Sequence, residues 1–149
     1  MKEFDRLIEE QWNSGFRLRD YGVMFNEKKR KLYIVSKDVE MIVGFEGELR
    51  IDSVGLYFGE LMKEGLLRLS IEGSQLVGRD AKKNVVDFDE EQIRKWINGQ
   101  DVEVEGVSSR EFVLIRHRGD FYGCGKVVER EGKVVVLNFV PKARRIKNI

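Results

Sequence analysis

Apolar residues near the start of the chain recur at Phe4, Leu7, Ile8 and Trp12. That i, i+3, i+4, i+8 spacing marks one face of a helix, and it predicts an amphipathic helix ending at the Asn13-Ser14-Gly15 break. The pattern then changes. Val23-Met24-Phe25 and Leu32-Tyr33-Ile34-Val35 flank the polar run Asn26-Glu27-Lys28-Lys29-Arg30-Lys31, which predicts a β-hairpin with a charged tip. Residues 44–48 are turn-rich. Residues 49–69 hold short strand-like pieces, Val54-Gly55-Leu56-Tyr57-Phe58 and Leu66-Leu67-Arg68-Leu69. Ser70 is placed to cap a short helix running through Leu76 and Val77 and stopped by Gly78.

The clearest helix signal follows. Asp89 is an N-cap with Gln92 three residues on, close to a capping box, and Phe88 is placed to staple against Ile93. Ile93, Trp96 and Ile97 form the apolar stripe, and Gly99 stands where a left-handed C-terminal residue belongs. Beyond it the chain reads as strand: residues 102–107, 112–115, 121–128 and 134–140. Arg118-Gly119-Asp120 and Arg130-Glu131-Gly132 supply hairpin turns. One helix followed by four or five short strands describes a small barrel. The expected fold is α+β, with a small N-terminal α/β domain over residues 1–84 and a barrel-like β-domain with one prominent helix over residues 85–149. The boundary falls at Lys82-Lys83-Asn84, where polar residues separate two helical patterns. Because the second helix carries its own start and stop signals, the part from about Lys83 onward is expected to fold alone. No internal repeat or low-complexity tract interrupts the 149 residues.

Charge changes this picture. The net charge is +1, yet the last forty residues hold ten Lys or Arg against four acids, while the rest of the chain is net acidic. The basic residues interleave with Phe112-Val113-Leu114-Ile115 and Val134-Val135-Val136-Leu137. A folded basic face of this kind points to a polyanion, and so to nucleic acid. No run approaches the roughly 18 apolar residues a membrane span needs. The N-terminus, Met1-Lys2-Glu3-Phe4-Asp5-Arg6, is unlike a signal peptide, so no membrane contact and a cytoplasmic location are expected. A Lys/Glu-rich composition with few Gln and Asn resembles that of hyperthermophile proteins.

Catalytic chemistry finds little material. Cys124 is the only cysteine and His117 the only histidine, which removes disulfides, multi-histidine metal sites and cysteine-based zinc sites. Nothing local would activate the Cys124 thiol, and acid pairs such as Glu90-Glu91 or Glu103 and Glu105 show no dyad. No catalytic residue, metal or cofactor is expected. His117 is read as a surface turn residue, with contact to a base as the alternative. Gly123 and Gly125 either let RNA backbone approach closely or mark a bulge in a barrel strand. Alternation places Arg116 and Arg118 on one face, where guanidinium groups could fork onto phosphates. Lys142, Arg144 and Arg145 follow Pro141, the only proline, and either line a phosphate groove or form a solvated basic end. Lys28-Lys29-Arg30-Lys31 is read as a solvated hairpin tip, with an auxiliary RNA contact as the alternative.

Three stretches in fixed order carry a family resemblance. They are residues 54–61 with 69–76, residues 88–100, and Phe121-Tyr122-Gly123-Cys124-Gly125-Lys126 followed by Leu137-Asn138-Phe139-Val140-Pro141-Lys142-Ala143-Arg144-Arg145. The G-x-G-K and N-x-x-P-K-x-x-R pair is their most specific part. Together they resemble the RNA-binding tail of the Nop/Sun family of RNA 5-methylcytosine methyltransferases, over roughly residues 50 to 147. The resemblance implies a PUA-like barrel in the second domain and structured RNA, rRNA or tRNA, as the partner. It also implies a role accessory to RNA modification or ribosome assembly. The methyltransferase's glycine-rich loop and Pro-Cys motif do not occur in this sequence, so the chain reads as a free-standing, non-catalytic PUA-type protein. RNA contacts are expected at Arg116, Arg118, Gly123, Gly125, Lys126, Lys142, Arg144 and Arg145. The alternative is a protein-interaction subunit acting in trans with an RNA methyltransferase, docked through the acidic N-terminal part. Oligomeric state is not legible.

Overall fold

A computed structural model describes residues 2–35 and 55–146. The turn-rich stretch at 44–48 and the beginning of the strand-like region after it lie outside the described residues. Helix α1 (Lys2–Trp12) buries Leu7, Ile8 and Trp12. Strands β1 (Gly22–Asn26), β2 (Lys31–Val35), β3 (Leu56–Leu61) and β4 (Leu67–Leu69) form an antiparallel sheet in that order. Helix α2 (Ile71–Gly78) starts where the Ser70 side chain accepts from the Gly73 amide. Its end differs from expectation: Arg79 keeps right-handed helical angles, and Gly78 is needed because a Cβ there would lie 2.6 Å from the Phe121 ring.

The second sheet runs β5 (Val85–Asp87), β7 (Phe112–His117), β8 (Asp120–Arg130), β9 (Lys133–Leu137) and β6 (Val102–Val104). It curls into a half-barrel, and α3 (Glu90–Ile97) packs on it with its capping box complete: Asp89 accepts from the Gln92 amide and Gln92 reaches back to the Asp89 amide. The overall class is α+β. Strand β5 was missed in the sequence pattern because three residues carry no readable period, and its parallel partner β7 lies far along the chain. Strands β6 and β9 are shorter than their apolar runs, since Gly106 turns at φ +71° and Asn138 leaves the ladder to bond Asp101. Both hairpin turns place two residues at positive φ, Arg118-Gly119 and Glu131-Gly132, as tight hairpins require.

Strand β7 explains how two cores coexist. Its run Phe112-Val113-Leu114-Ile115 is wholly buried, and alternation sends its residues to opposite faces. Phe112 and Leu114 join the core of α1 and the first sheet, with Leu7, Trp12 and Phe58. Val113 and Ile115 join the core under α3, with Phe88 and Trp96. In β8 the same alternation slips by one residue: Leu114 faces Cys124 while Arg116 faces Phe121. Tyr122 and Gly123 together oppose Ile115, two residues against one, a β-bulge, and Gly123 absorbs it at φ +127°. The slip returns Cys124 to the face of Phe121.

Among the described residues no strand pairing crosses residue 84, but the first core draws on both sides of it. The Trp12 indole donates to the Phe112 carbonyl at 3.2 Å, the Trp12 carbonyl accepts from the Lys82 amide, and Asn84 donates to the Gln11 carbonyl at 2.7 Å. Cutting the chain near Lys83 would strip these partners from Phe112, Leu114, Phe121 and Cys124. Replacing the fully buried Trp12 by Ala should therefore destabilise the protein by about 3–5 kcal/mol. Circular dichroism and amide exchange in β7 should report one shared transition. Undiminished protection in β7 would show that the two sheets do not depend on each other.

Candidate nucleic-acid interface

The two most specific sequence motifs converge on a single helix. Trp96 of α3 is fully buried, and its indole donates to the Tyr122 carbonyl at 2.9 Å. Gly125 leaves room for it: a Cβ there would lie 2.7 Å from both the Trp96 ring and the Leu137 carbonyl. Gly123, at the bulge, stands against the same indole. From the other motif, the Asn138 amide donates to the Trp96 and Gln100 carbonyls at 2.8 and 2.9 Å, and its oxygen accepts from the Val140 amide. Arg145 lies across Gly99 and donates to the Val140 carbonyl, and the Ile146 amide bonds the Ile97 carbonyl. Orphan carbonyls at the end of α3 are thus satisfied by residues 138–146, which form a strap over the helix.

Half of the six expected RNA-contacting cations already have acidic partners. Arg116 forks onto Asp87, its neighbour across the parallel β5–β7 pair, at 2.6 and 2.8 Å. Arg144 meets Glu72 at 2.9 Å. Arg110, Arg118, Arg130 and Lys133 lie within 4.0 Å of Glu129, Glu90, Asp101 and Glu103. Of these acids only Glu129 belongs to the basic segment itself, so the fold cancels much of the charge asymmetry along the chain. Arg116 and Arg118 also do not share a face, because Arg118 has left the strand for the turn at φ +50°. Arg116 lines a cleft with Gln75, Arg79 and Phe121, and Arg118 a second one beside α3. Arg118 keeps 79% of its side chain exposed, Lys142 is exposed, and Lys126 sits 4.8 Å above the Phe112 ring. His117 is not a free surface residue: its Nδ1 donates to the Phe88 carbonyl at 2.8 Å and Nε2 faces Glu90 at 3.3 Å.

Two expected residues, Gly123 and Arg144, meet in a cleft of about 240 Å³ between the sheets, where the sequence reading had missed Lys31, Tyr57, Arg68 and Phe139. Tyr57, Arg68 and Phe139 look like ordinary strand or strap positions and Lys31 like part of the hairpin tip, and only the folding of the strap toward β3 and β4 gathers them. Arg68 stacks its guanidinium 4.6 Å from the Phe139 ring centre, and the Lys31 ammonium lies 5.4 Å from that of Tyr57. Burial pushes the Tyr57 hydroxyl above its ordinary pKa. Burial raises the Glu72 carboxyl, but the bonds from Arg144 and its own amide outweigh that and leave it below the ordinary value. Cys124, at the base of the cleft, is pushed up to about 12 by burial, which keeps the thiol protonated and unreactive. Among the described residues no cluster of three or more His, Cys, Asp or Glu is arranged to hold a metal ion, and no helix is long and apolar enough to cross a membrane.

Residues 83–146, comprising the second sheet, α3 and the strap, match the family model for the PUA domain of the methyltransferase RsmF. This stretch of the chain is similar to an RsmF-type PUA domain. Among curated proteins it is similar to ribosomal RNA small subunit methyltransferase F of Vibrio atlanticus, 31% identical over 102 residues, or 66% of this chain and 21% of that protein. The Vibrio cholerae counterpart is 34% identical over 82 residues, 55% of this chain and 17% of the relative. That of Aeromonas hydrophila is 28% identical over 127 residues, 85% of this chain and 26% of the relative. The chain thus spans between 17% and 26% of the length of these relatives, and the family model it matches is the PUA domain, not a catalytic domain. An RsmF-type PUA domain supports an RNA-binding role.

The Arg116–Asp87 pair has a defined pH signature. The hydrogen bonds from Arg116 hold the Asp87 carboxyl below its ordinary pKa, against a smaller opposing effect of burial. Its contribution to stability is present above the ordinary carboxylate pKa and is lost as pH falls through the depressed one. Arg116→Gln should lower stability at neutral pH by no more than about 1 kcal/mol, since the pair is exposed, and the difference from the parent should vanish in acid. A penalty unchanged at acid pH in denaturant titrations would assign Arg116 a role independent of Asp87.

Proposed function

We propose that this protein is a non-catalytic RNA-binding protein that recognises structured rRNA or tRNA, accessory to RNA modification or ribosome assembly. The observation that carries the reading is the match of residues 83–146 to a methyltransferase PUA domain. The relatives' names refer to ribosomal RNA of the small subunit, which favours rRNA over tRNA. The chemistry of the surface agrees with it. Among the described residues Lys126 and Lys142 have no carboxylate within 4.0 Å, and Arg118, 3.6 Å from Glu90, keeps 79% of its side chain exposed, so these cations are open to phosphate contacts. Arg144 reaches the cleft already aligned by Glu72, and Arg145 acts through geometry, fastening the strap across Gly99. Gly125 belongs to the seat of Trp96. Recognition would then rest on shape and phosphates on the strap side of the barrel, with a methyltransferase acting in trans as a partner of the complex.

Charge-matched variants test this placement. Lys126→Gln with Lys142→Gln removes two cations from the proposed face, and Lys28→Gln with Lys29→Gln removes two from the hairpin tip, where both are exposed. Lys31 is left in place because it lies over Tyr57 in the cleft. The first variant should weaken binding to structured RNA roughly tenfold and flatten the log–log salt slope by about one to two units. The second should lose only a few-fold through weaker long-range steering. Salt-insensitive binding, or equal losses in the two variants, would overturn the assignment of the face.

A further inference from the structure

Lys31, Tyr57 and Arg68 of the cleft lie outside the family match, while Gly123, Phe139 and Arg144 lie within it. The cleft therefore exists only where the first sheet meets the strap. Its volume of about 240 Å³ falls below the roughly 300–1,000 Å³ of pockets that enclose a drug-sized molecule. That suits one planar ring system and is too small for a strand or a helix. Phe139 remains 37% exposed, an uncommon state for a phenylalanine ring that also packs against Phe112, 6.2 Å between centroids. The Arg68 guanidinium is held from two sides. It is propped on Phe139 and lies 3.6 Å from Glu60, so its plane is fixed before any ligand arrives. An oriented guanidinium backed by an aromatic ring is a stacking platform for an unpaired base. Tyr57, whose hydroxyl lies within reach of Arg68, lines the same cleft with Lys31 over its ring. Arg144, aligned by Glu72, brings a further positive group to the rim for the adjoining phosphates.

We propose that this cleft is a nucleotide subsite, taking a single unpaired RNA base against the Arg68–Phe139 platform, beside Tyr57, while Lys31 and Arg144 hold the flanking phosphates. This rests on the RNA-binding reading and deepens it. The exposed cations read backbone and shape, whereas the cleft demands a base free of pairing. The protein thus selects loops, bulges or flipped-out nucleotides over continuous duplex.

The test uses the full chain with two RNA probes, a hairpin with a single-stranded loop and a blunt duplex of the same stem. Phe139→Leu keeps an apolar side chain against Phe112 but removes the π face, and Phe139→Tyr restores it. Phe139→Leu should weaken hairpin binding about 5- to 150-fold, the equivalent of ~1–3 kcal/mol of base stacking, and change duplex binding by less than about twofold. Phe139→Tyr should bind like the parent. A 2-aminopurine in the loop should lose fluorescence on binding the parent and not on binding Phe139→Leu. Equal losses for hairpin and duplex, or no loss for either, would overturn the subsite while leaving RNA binding intact. A parent protein that binds neither probe at low salt would overturn the RNA-binding reading and the subsite with it.

Discussion

The position of one indole decides the geometry of the whole strap side of the molecule. Trp96 is buried without remainder, donates to the Tyr122 carbonyl, and packs where Gly125 has no side chain. With the helix seated there, its last carbonyls point outward and must be satisfied. Asn138, Arg145 and Ile146 fold back over that end. Phe139, Pro141 and Arg144 are carried along and become one wall of the cleft. Gly125, Asn138 and Arg145 of the motifs thus build the strap side, while Lys126, Lys142 and Arg144 of the same motifs are the cations of the proposed RNA contacts.

Electrostatics acts locally where the sequence implied a global effect. The basic C-terminal segment would be a strong cationic patch if its charges stood free. Instead Glu72, Asp87, Glu90, Asp101 and Glu103 each lie beside one of its cations. Exposed pairs of this kind contribute little to stability, but they fix where guanidinium groups point and they lower the long-range field. Arg68 and Arg144 are the useful cases, since each acid-held guanidinium enters a cleft lined by aromatic rings. Oriented cations with a place for a ring favour selective binding over diffuse attraction to any polyanion.

Much of this was legible in the sequence, and for physical reasons. The Asp89 capping box, the Ile93-Trp96 stripe and the two hairpin turns are local devices whose residues lie within a few positions of each other. The α+β class and a small barrel followed from them, and the family resemblance implied its PUA type. Strand β5 escaped because it is three residues long and is defined by its distant partner. The ion pairs escaped because their members are far apart in the chain, as Arg144 and Glu72 are. The bulge at Gly123 was one of the two readings of the glycine pair, but its consequence was not legible: the slip turns Cys124 back toward Phe121. Phe139 and Arg68 could have been paired only by knowing that Asn138 leaves the ladder.

The claim that the strap must be held by α3 for RNA to bind is tested most directly at Asn138, a positioning residue outside the cleft lining. The measurement is the affinity of Asn138→Ala for a loop-containing RNA hairpin, with Phe139, Lys142 and Arg144 all in place. Loss of the clamp on the Trp96 and Gln100 carbonyls should loosen the wall of the cleft and weaken binding by about tenfold, or ~1.4 kcal/mol, in a protein that remains folded. An affinity equal to the parent's would contradict the account, because the strap would then bind RNA without being held by the helix.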